Sequence, residues 1–293
     1  MSRLRFAIAC ALGACFMTLP VCAIAAPNGF RLESQHVTTP AASIRPPSQI
    51  PSITPAPTPP IDPSAEITPN PTAPDDILPP PVRTIVIDPG HGGTNEGAIG
   101  VANIHEKFLT LKIALMLADR IRHDLPDVNV VLTRQGDDSI SLADRIELAN
   151  HIHADLFLSL HFNASLNPEA IGFESFWAGE HWIADHQKMN VEITPQLTEH
   201  MTHIGALSQR LANCFNRAMK RHFDVLDRGV KTGDYTVLNR AHVPAVVLEL
   251  AFLSHQNEGI QATSKEFRAK IVDALFDTIK LYAGNSGFYT PSK

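Results

Sequence analysis

From Arg83 onward, short apolar runs rich in β-branched residues alternate with longer stretches in which apolar positions recur at helical spacing. The runs predict strands near 83–88, 128–133, 155–160, 172–177, 235–238 and 245–249. The intervening segments predict helices over 107–123, 141–151, 206–222 and 265–282. In the first of these, Phe108, Leu111, Leu115 and Ile121 are interleaved with Lys112, Asp119, Arg120 and Arg122, as in an amphipathic helix. Ser141 stands where an N-cap is needed. Strand and helix alternating in this way argue for an α/β fold, a single-domain twisted, mostly parallel sheet flanked by helices. About 200 residues suffice for one well-packed core without disulfides.

The pattern fails upstream. Arg3 and Arg5 precede an apolar run from Phe6 that ends in Ala23-Ile24-Ala25, a small-x-small cleavage site, so residues 1–25 are expected to be a signal peptide. Leu12-Gly13-Ala14-Cys15 loosely resembles a lipobox, but the chain stays apolar after Cys15, which disfavours lipid anchoring. Residues 26–82 are dominated by Pro, Thr, Ser and Ala, as in Pro55-Ala56-Pro57-Thr58-Pro59-Pro60. Such a segment buries too little apolar surface to offset its ordering entropy and is expected to be an extended linker. The catalytic domain is then expected over 83–285, with a tail at 286–293. Beyond the signal, no stretch approaches the length of a membrane span.

Composition narrows the function. Losing Arg3 and Arg5 with the signal takes the formal charge from −6 to −8. An acidic exported protein is a poor candidate for nucleic-acid binding. Cys10, Cys15 and Cys22 leave with the signal, so the mature chain keeps Cys214, placed in a predicted helix as a small apolar residue. No motif around it suggests a catalytic thiol.

The chemistry is concentrated at predicted strand ends, where ligands bind in open α/β sheets. His91 follows Thr84-Ile85-Val86-Ile87-Asp88-Pro89-Gly90, Glu106 opens a helix, His161 ends Leu158-Ser159-Leu160, and Glu249 ends Val246-Val247-Leu248. Two imidazoles and a carboxylate suit a catalytic zinc with an open position, and a further carboxylate suits a general base. For Glu106 the alternative is capping at a helix N-terminus. His105 is a competing ligand.

As a set, Asp88 to Gly93, Glu106-Lys107, Ser141-Leu142-Ala143-Asp144-Arg145, Ser159-Leu160-His161-Phe162-Asn163 and Leu248-Glu249-Leu250-Ala251-Phe252-Leu253-Ser254 resemble the zinc-dependent N-acetylmuramoyl-L-alanine amidases of amidase type 3, over about 83–282. The resemblance implies one Zn2+ held by His91, Glu106 and His161, with Glu249 as the catalytic residue. It implies hydrolysis of the amide between the muramic acid lactyl group and L-alanine of peptidoglycan. It also implies a part in daughter-cell separation and a LytM-domain type activator as partner, while the export signal without a second membrane span suits a periplasmic location, with secretion to an outer wall as the alternative. Asp88 and Asn163 either orient the histidines or serve ordinary turn chemistry. Arg145 is expected to anchor the fold through a carboxylate, and Lys231 and Asn239 are candidate substrate contacts.

Two departures stand out. Ala251 replaces the family's glycine, and a segment near 178–205 is longer than in the simplest members. In divisome-associated relatives an insertion there plugs the site with a carboxylate, for which Glu192 and Glu199 are the candidates; a polar surface excursion at the groove rim is the plainer reading. A different metal-dependent amide hydrolase, and a binding protein with a silent site, are the rival functions.

Overall fold

The computed structural model describes residues 77–101 and 103–290. The signal-peptide expectation and nearly all of the proline-rich linker lie outside them. Six strands form one sheet: β1 Thr84–Pro89, β2 Asn129–Leu132, β3 Leu156–Asn163, β4 Phe173–Trp177, β5 Asp227–Thr232 and β6 Ala245–Phe252, in the spatial order β2-β1-β3-β6-β4-β5. β1 pairs in parallel with β2 and β3, β3 with β6, and β4 with β5; the β4–β6 pairing alone is antiparallel. The α/β class and mostly parallel sheet are therefore as expected.

Burial on both faces explains why β1, β3 and β6 read as continuous apolar runs. On one face Ile85, Ile87, Leu158, Leu160, Val246 and Leu248 meet the helices α1 (Glu106–Asp124), α4 (Pro195–His222) and α7 (Lys265–Ala283). On the other, Val86, Phe157 and Val247 meet α2 (Leu142–His151) and the short α5 (Thr236–Asn239). Ser141 caps α2, accepting from the Asp144 amide at 3.1 Å, and Cys214 is buried on α4. α3 (His181–Lys188) and α6 (Gln256–Ala262) complete the helices.

Three expectations need correction. The strand predicted at 235–238 is the helix α5; the strand lies upstream at 227–232, where Asp-Arg-Gly-Val-Lys-Thr lacks an apolar alternation because β5 is the sheet edge. The helix predicted from 206 begins at Pro195, with Thr194 capping the Leu197 amide. In α1 the buried stripe is Leu109, Ile113, Leu117 and Ile121, while Phe108 is 47% exposed and lies under the Lys107 ammonium. The C-terminal segment is tied down as far as it is described: Phe288 bridges to Val82, and the Tyr289 amide donates to the Val82 carbonyl at 2.9 Å.

Candidate active site

The turn after β1 is built around buried cations. Proline and glycines end the strand and leave backbone carbonyls that the sheet cannot pair, and buried carbonyls need donors. Arg134 donates to the Pro89 and Gly90 carbonyls at 2.9 and 2.8 Å, Arg145 to those of Pro89 and His91 at 2.8 and 2.6 Å, and Lys107 to that of Gly93 at 2.7 Å. Arg145 is itself held by Asp88 at 2.7 Å, and Asp88 also accepts from Thr133 and Ser159 at 2.5 and 2.7 Å. This clamp holds His91 at φ +62°, a left-handed conformation uncommon for residues other than glycine.

His91, Glu106 and His161 come together as expected, the three side chains forming the one His/Cys/Asp/Glu group with metal-ligand spacing found among the described residues. His91 Nε2 lies 2.9 Å from Glu106 Oε2, His161 Nδ1 lies 3.0 Å from Glu106 Oε1, and the two ring nitrogens are 3.2 Å apart. Four-coordinate zinc with ligands at about 2.0–2.2 Å sets its donors roughly 3.3–3.6 Å apart, so this donor set fits the ion with a small expansion. Outer contacts fix the orientations. His91 Nδ1 donates to Asn95 Oδ1 at 2.9 Å, which leaves Nε2 to face the cluster. Glu106 accepts from the amides of Ala98 and Phe162 at 2.8 and 2.9 Å. The His161 ring lies across Gly90, where a Cβ would come within 2.3 Å of it. Gly90 is thus required for close approach.

Electrostatics separates the two carboxylates. Burial pushes Glu106 up, but hydrogen bonds from His161 and His91 outweigh it and hold the group at about 2. For Glu249 burial dominates and raises it to about 7, with the Glu106 and Glu174 charges adding to the rise and His161 opposing it. Its Oε2 is buried and has no partner among the described residues. The sheet register sets Glu249 directly between His161 on β3 and Glu174 on β4, so the three share one face.

A cleft of about 820 Å3 opens over this row; His91, Glu106, His161 and Glu249 line it, with Tyr235 and Leu142 among its walls. Comparison with known proteins decides what it belongs to. A family model described as N-acetylmuramoyl-L-alanine amidase matches residues 85–281. The chain belongs to the N-acetylmuramoyl-L-alanine amidase family. It is 32% identical over 183 residues to the amidase CwlM of Bacillus licheniformis, covering 62% of each chain, and 27% identical over 221 residues to AmiA of Escherichia coli (strain K12), covering 68% of this chain and 76% of AmiA. It thus spans less than two thirds of CwlM. Among solved structures, the CwlD amidase of Clostridioides difficile, in complex with the GerS lipoprotein, aligns with a TM-score of 0.56 at 27% identity over 68% of this chain and 98% of CwlD. Membership makes this a hydrolase of the peptidoglycan amidase type.

Within that family frame the remaining residues sort by contact. Asp88 touches neither histidine and instead holds Arg145, so Arg145 is the fold anchor expected of it. Asn163 donates to Glu174 Oε1 at 2.6 Å rather than to a histidine. Lys231 also binds Glu174, and Asn239 donates to Asp234 at 2.6 Å. His105 turns towards Glu96, 3.3 Å away, and Glu106 uses its carboxylate on the cluster rather than to cap α1. Neither Glu192 nor Glu199 reaches the cluster, and no residue of 178–205 lines the cleft. Asn95, Arg134 and Glu174 carry no signature in the sequence; only a positive-φ histidine and a carboxylate in register with another reveal them.

Proposed function

We propose that this protein is a zinc-dependent peptidoglycan hydrolase that cleaves the amide between the N-acetylmuramic acid lactyl group and L-alanine. The observation that carries the reading is the pairing of a compact His91–Glu106–His161 donor set with a half-buried carboxylate, Glu249, on the next strand, whose buried Oε2 has no partner among the described residues. Bound by those three residues, zinc supplies Lewis-acid polarisation of the scissile carbonyl and acidifies water. Glu249, whose carboxyl is raised by burial in the metal-free site, takes the proton of the attacking water and returns it to the alanine nitrogen as the C–N bond breaks. One carboxylate thus serves as base and then as acid, leaving a free lactyl carboxylate and an amine-ended stem peptide. Asn95 and Gly90 keep the two imidazoles aimed, and the cationic clamp keeps the turn from relaxing.

The signal-like N-terminus supports export to the periplasm, and no helix among the described residues is long and apolar enough to cross a membrane. An activating partner of LytM-domain type completes the proposal; the CwlD structure supports partner binding by such a domain in general. Metal analysis of purified wild type, Glu249→Gln and His161→Ala, beside release of stem peptides from peptidoglycan, tests the assignment. Zinc retained without turnover in the first variant and lost in the second supports it. Turnover by Glu249→Gln removes Glu249 from the mechanism.

A further inference from the structure

The segment 178–205 contributes nothing to the catalytic cleft, yet it walls much of a second cavity that opens to solvent. With the C-terminal ends of β4 and β5, α3 and the N-terminal half of α4 surround about 730 Å3 lined by Trp177, His181, Trp182, Gly205, Gln209 and Thr232, among others. Trp177 and Trp182 are the only tryptophans in the chain. Trp177 is half-buried, and α4 packs close to its ring at Gly205, where a Cβ would lie 3.3 Å from the ring. Trp182 is held edge-on to His186 at 5.5 Å.

The cavity adjoins the reaction site. Thr232 lines it, while Asp234 and Tyr235 line the catalytic cleft, so Gly233 alone separates the two along the chain. Gly233 itself is pinned by donating to the Trp177 carbonyl at 2.9 Å. The lining chemistry selects the occupant. It holds no lysine or arginine and one carboxylate, Glu180, which disfavours phosphates and carboxylate-rich peptides. The half-buried Trp177 ring offers a flat apolar face suited to the C–H face of a pyranose, while Trp182 is buried in the wall behind it, and the Gln209 amide and Thr232 hydroxyl offer both donors and acceptors for its hydroxyl and acetamido groups.

We propose that this cavity is a saccharide subsite that holds the glycan strand of peptidoglycan beside the catalytic cleft. The assignment rests on the peptidoglycan-hydrolase reading for the identity of the polymer. Engaging one polymer at two adjoining sites raises the effective concentration of the scissile bond. The segment 178–205 is then a substrate-binding element, and its length reflects the walls of a pocket.

Tryptophan fluorescence reports on this cavity directly. The full chain is titrated with the β-1,4-linked tetrasaccharide of N-acetylglucosamine, which carries no amide of the cleaved kind. The expected result is a saturable fluorescence change that persists in Glu249→Gln and His161→Ala. Gly205→Leu, which crowds the Trp177 ring at the cavity wall while favouring the helix, and Gln209→Ala should each weaken binding tenfold or more. Circular dichroism identifies a variant that fails to fold, and the other then decides. A flat titration overturns the proposal. So does tight binding by the folded pocket variants, or a signal lost with His161, which would place the sugar in the catalytic cleft. Wild type that binds the tetrasaccharide but cleaves peptidoglycan at a bond other than the lactyl–alanine amide sinks the amidase reading and leaves the subsite standing.

Discussion

Replacing Arg145 by methionine tests the cationic clamp where it is most exposed to failure. The Arg145 and Asp88 side chains are 4% and 1% exposed and 2.7 Å apart, so the substitution strands a carboxylate in the interior with only Thr133 and Ser159 as partners. Breaking a buried pair from one side costs about 3–5 kcal/mol, because the remaining charge is uncompensated. The Pro89 carbonyl keeps Arg134, but the His91 carbonyl loses the donor that held it at 2.6 Å. Holding a histidine at positive φ costs of the order of 1–3 kcal/mol, so the turn should relax and zinc affinity should fall with stability. Urea unfolding of the metal-free protein, paired with zinc titration, reads both effects. The double variant Asp88→Asn/Arg145→Met removes the stranded charge and should recover part of the stability but little of the metal affinity. A single-variant loss below about 1 kcal/mol, or no recovery in the double variant, would refute the clamp.

Other consequences follow from the same geometry. Gly90→Ala should abolish zinc binding while leaving the helical circular dichroism intact, because its Cβ would come within 2.3 Å of the His161 ring. In metal-free protein, Glu249 ionises in the unfolded chain near 4.5 and in the folded one near 7, so stability falls as pH rises through that window. Glu249→Gln should therefore gain about 2–3 kcal/mol on wild type between pH 5 and pH 8 in urea melts; parallel pH profiles would contradict the burial argument. Glu106 behaves oppositely: its folded-state value of about 2 contributes stability above 4.5 that is lost as pH falls towards 2, and Glu106→Gln should flatten that acid limb. Alanine at both Glu192 and Glu199 should leave turnover within about twofold, since surface changes away from a site have little effect; a large activation would revive a plug by that segment.

The parts of the fold that were legible are those where burial dictates residue type. β1, β3 and β6 are covered on both faces and so announce themselves as apolar runs, and the ligands at their ends follow from strand-end logic. β5 was misplaced because an edge strand tolerates charge and glycine, while the apolar Val237 and Leu238 that mimicked a strand are buried by a four-residue helix. Phe108 misled for a related reason: its neighbour Leu109 takes the buried stripe. Within the site, His91, His161 and Glu249 were readable because few apolar strands run into such groups, and Glu106 because it opens the helix that follows the glycine-rich turn. Arg134, Asn95 and Glu174 were not, because what marks them is contact across the sheet or between separate turns. Asp88 stood in the right motif, but its partner is fixed by three-dimensional proximity to Arg145.

The most direct test of the account is mass spectrometry of the products formed when the zinc-loaded protein acts on purified peptidoglycan. The account predicts free stem peptides beginning at L-alanine together with glycan bearing free lactyl carboxylates. Cleavage within the stem peptide or within the glycan by zinc-replete protein would contradict it.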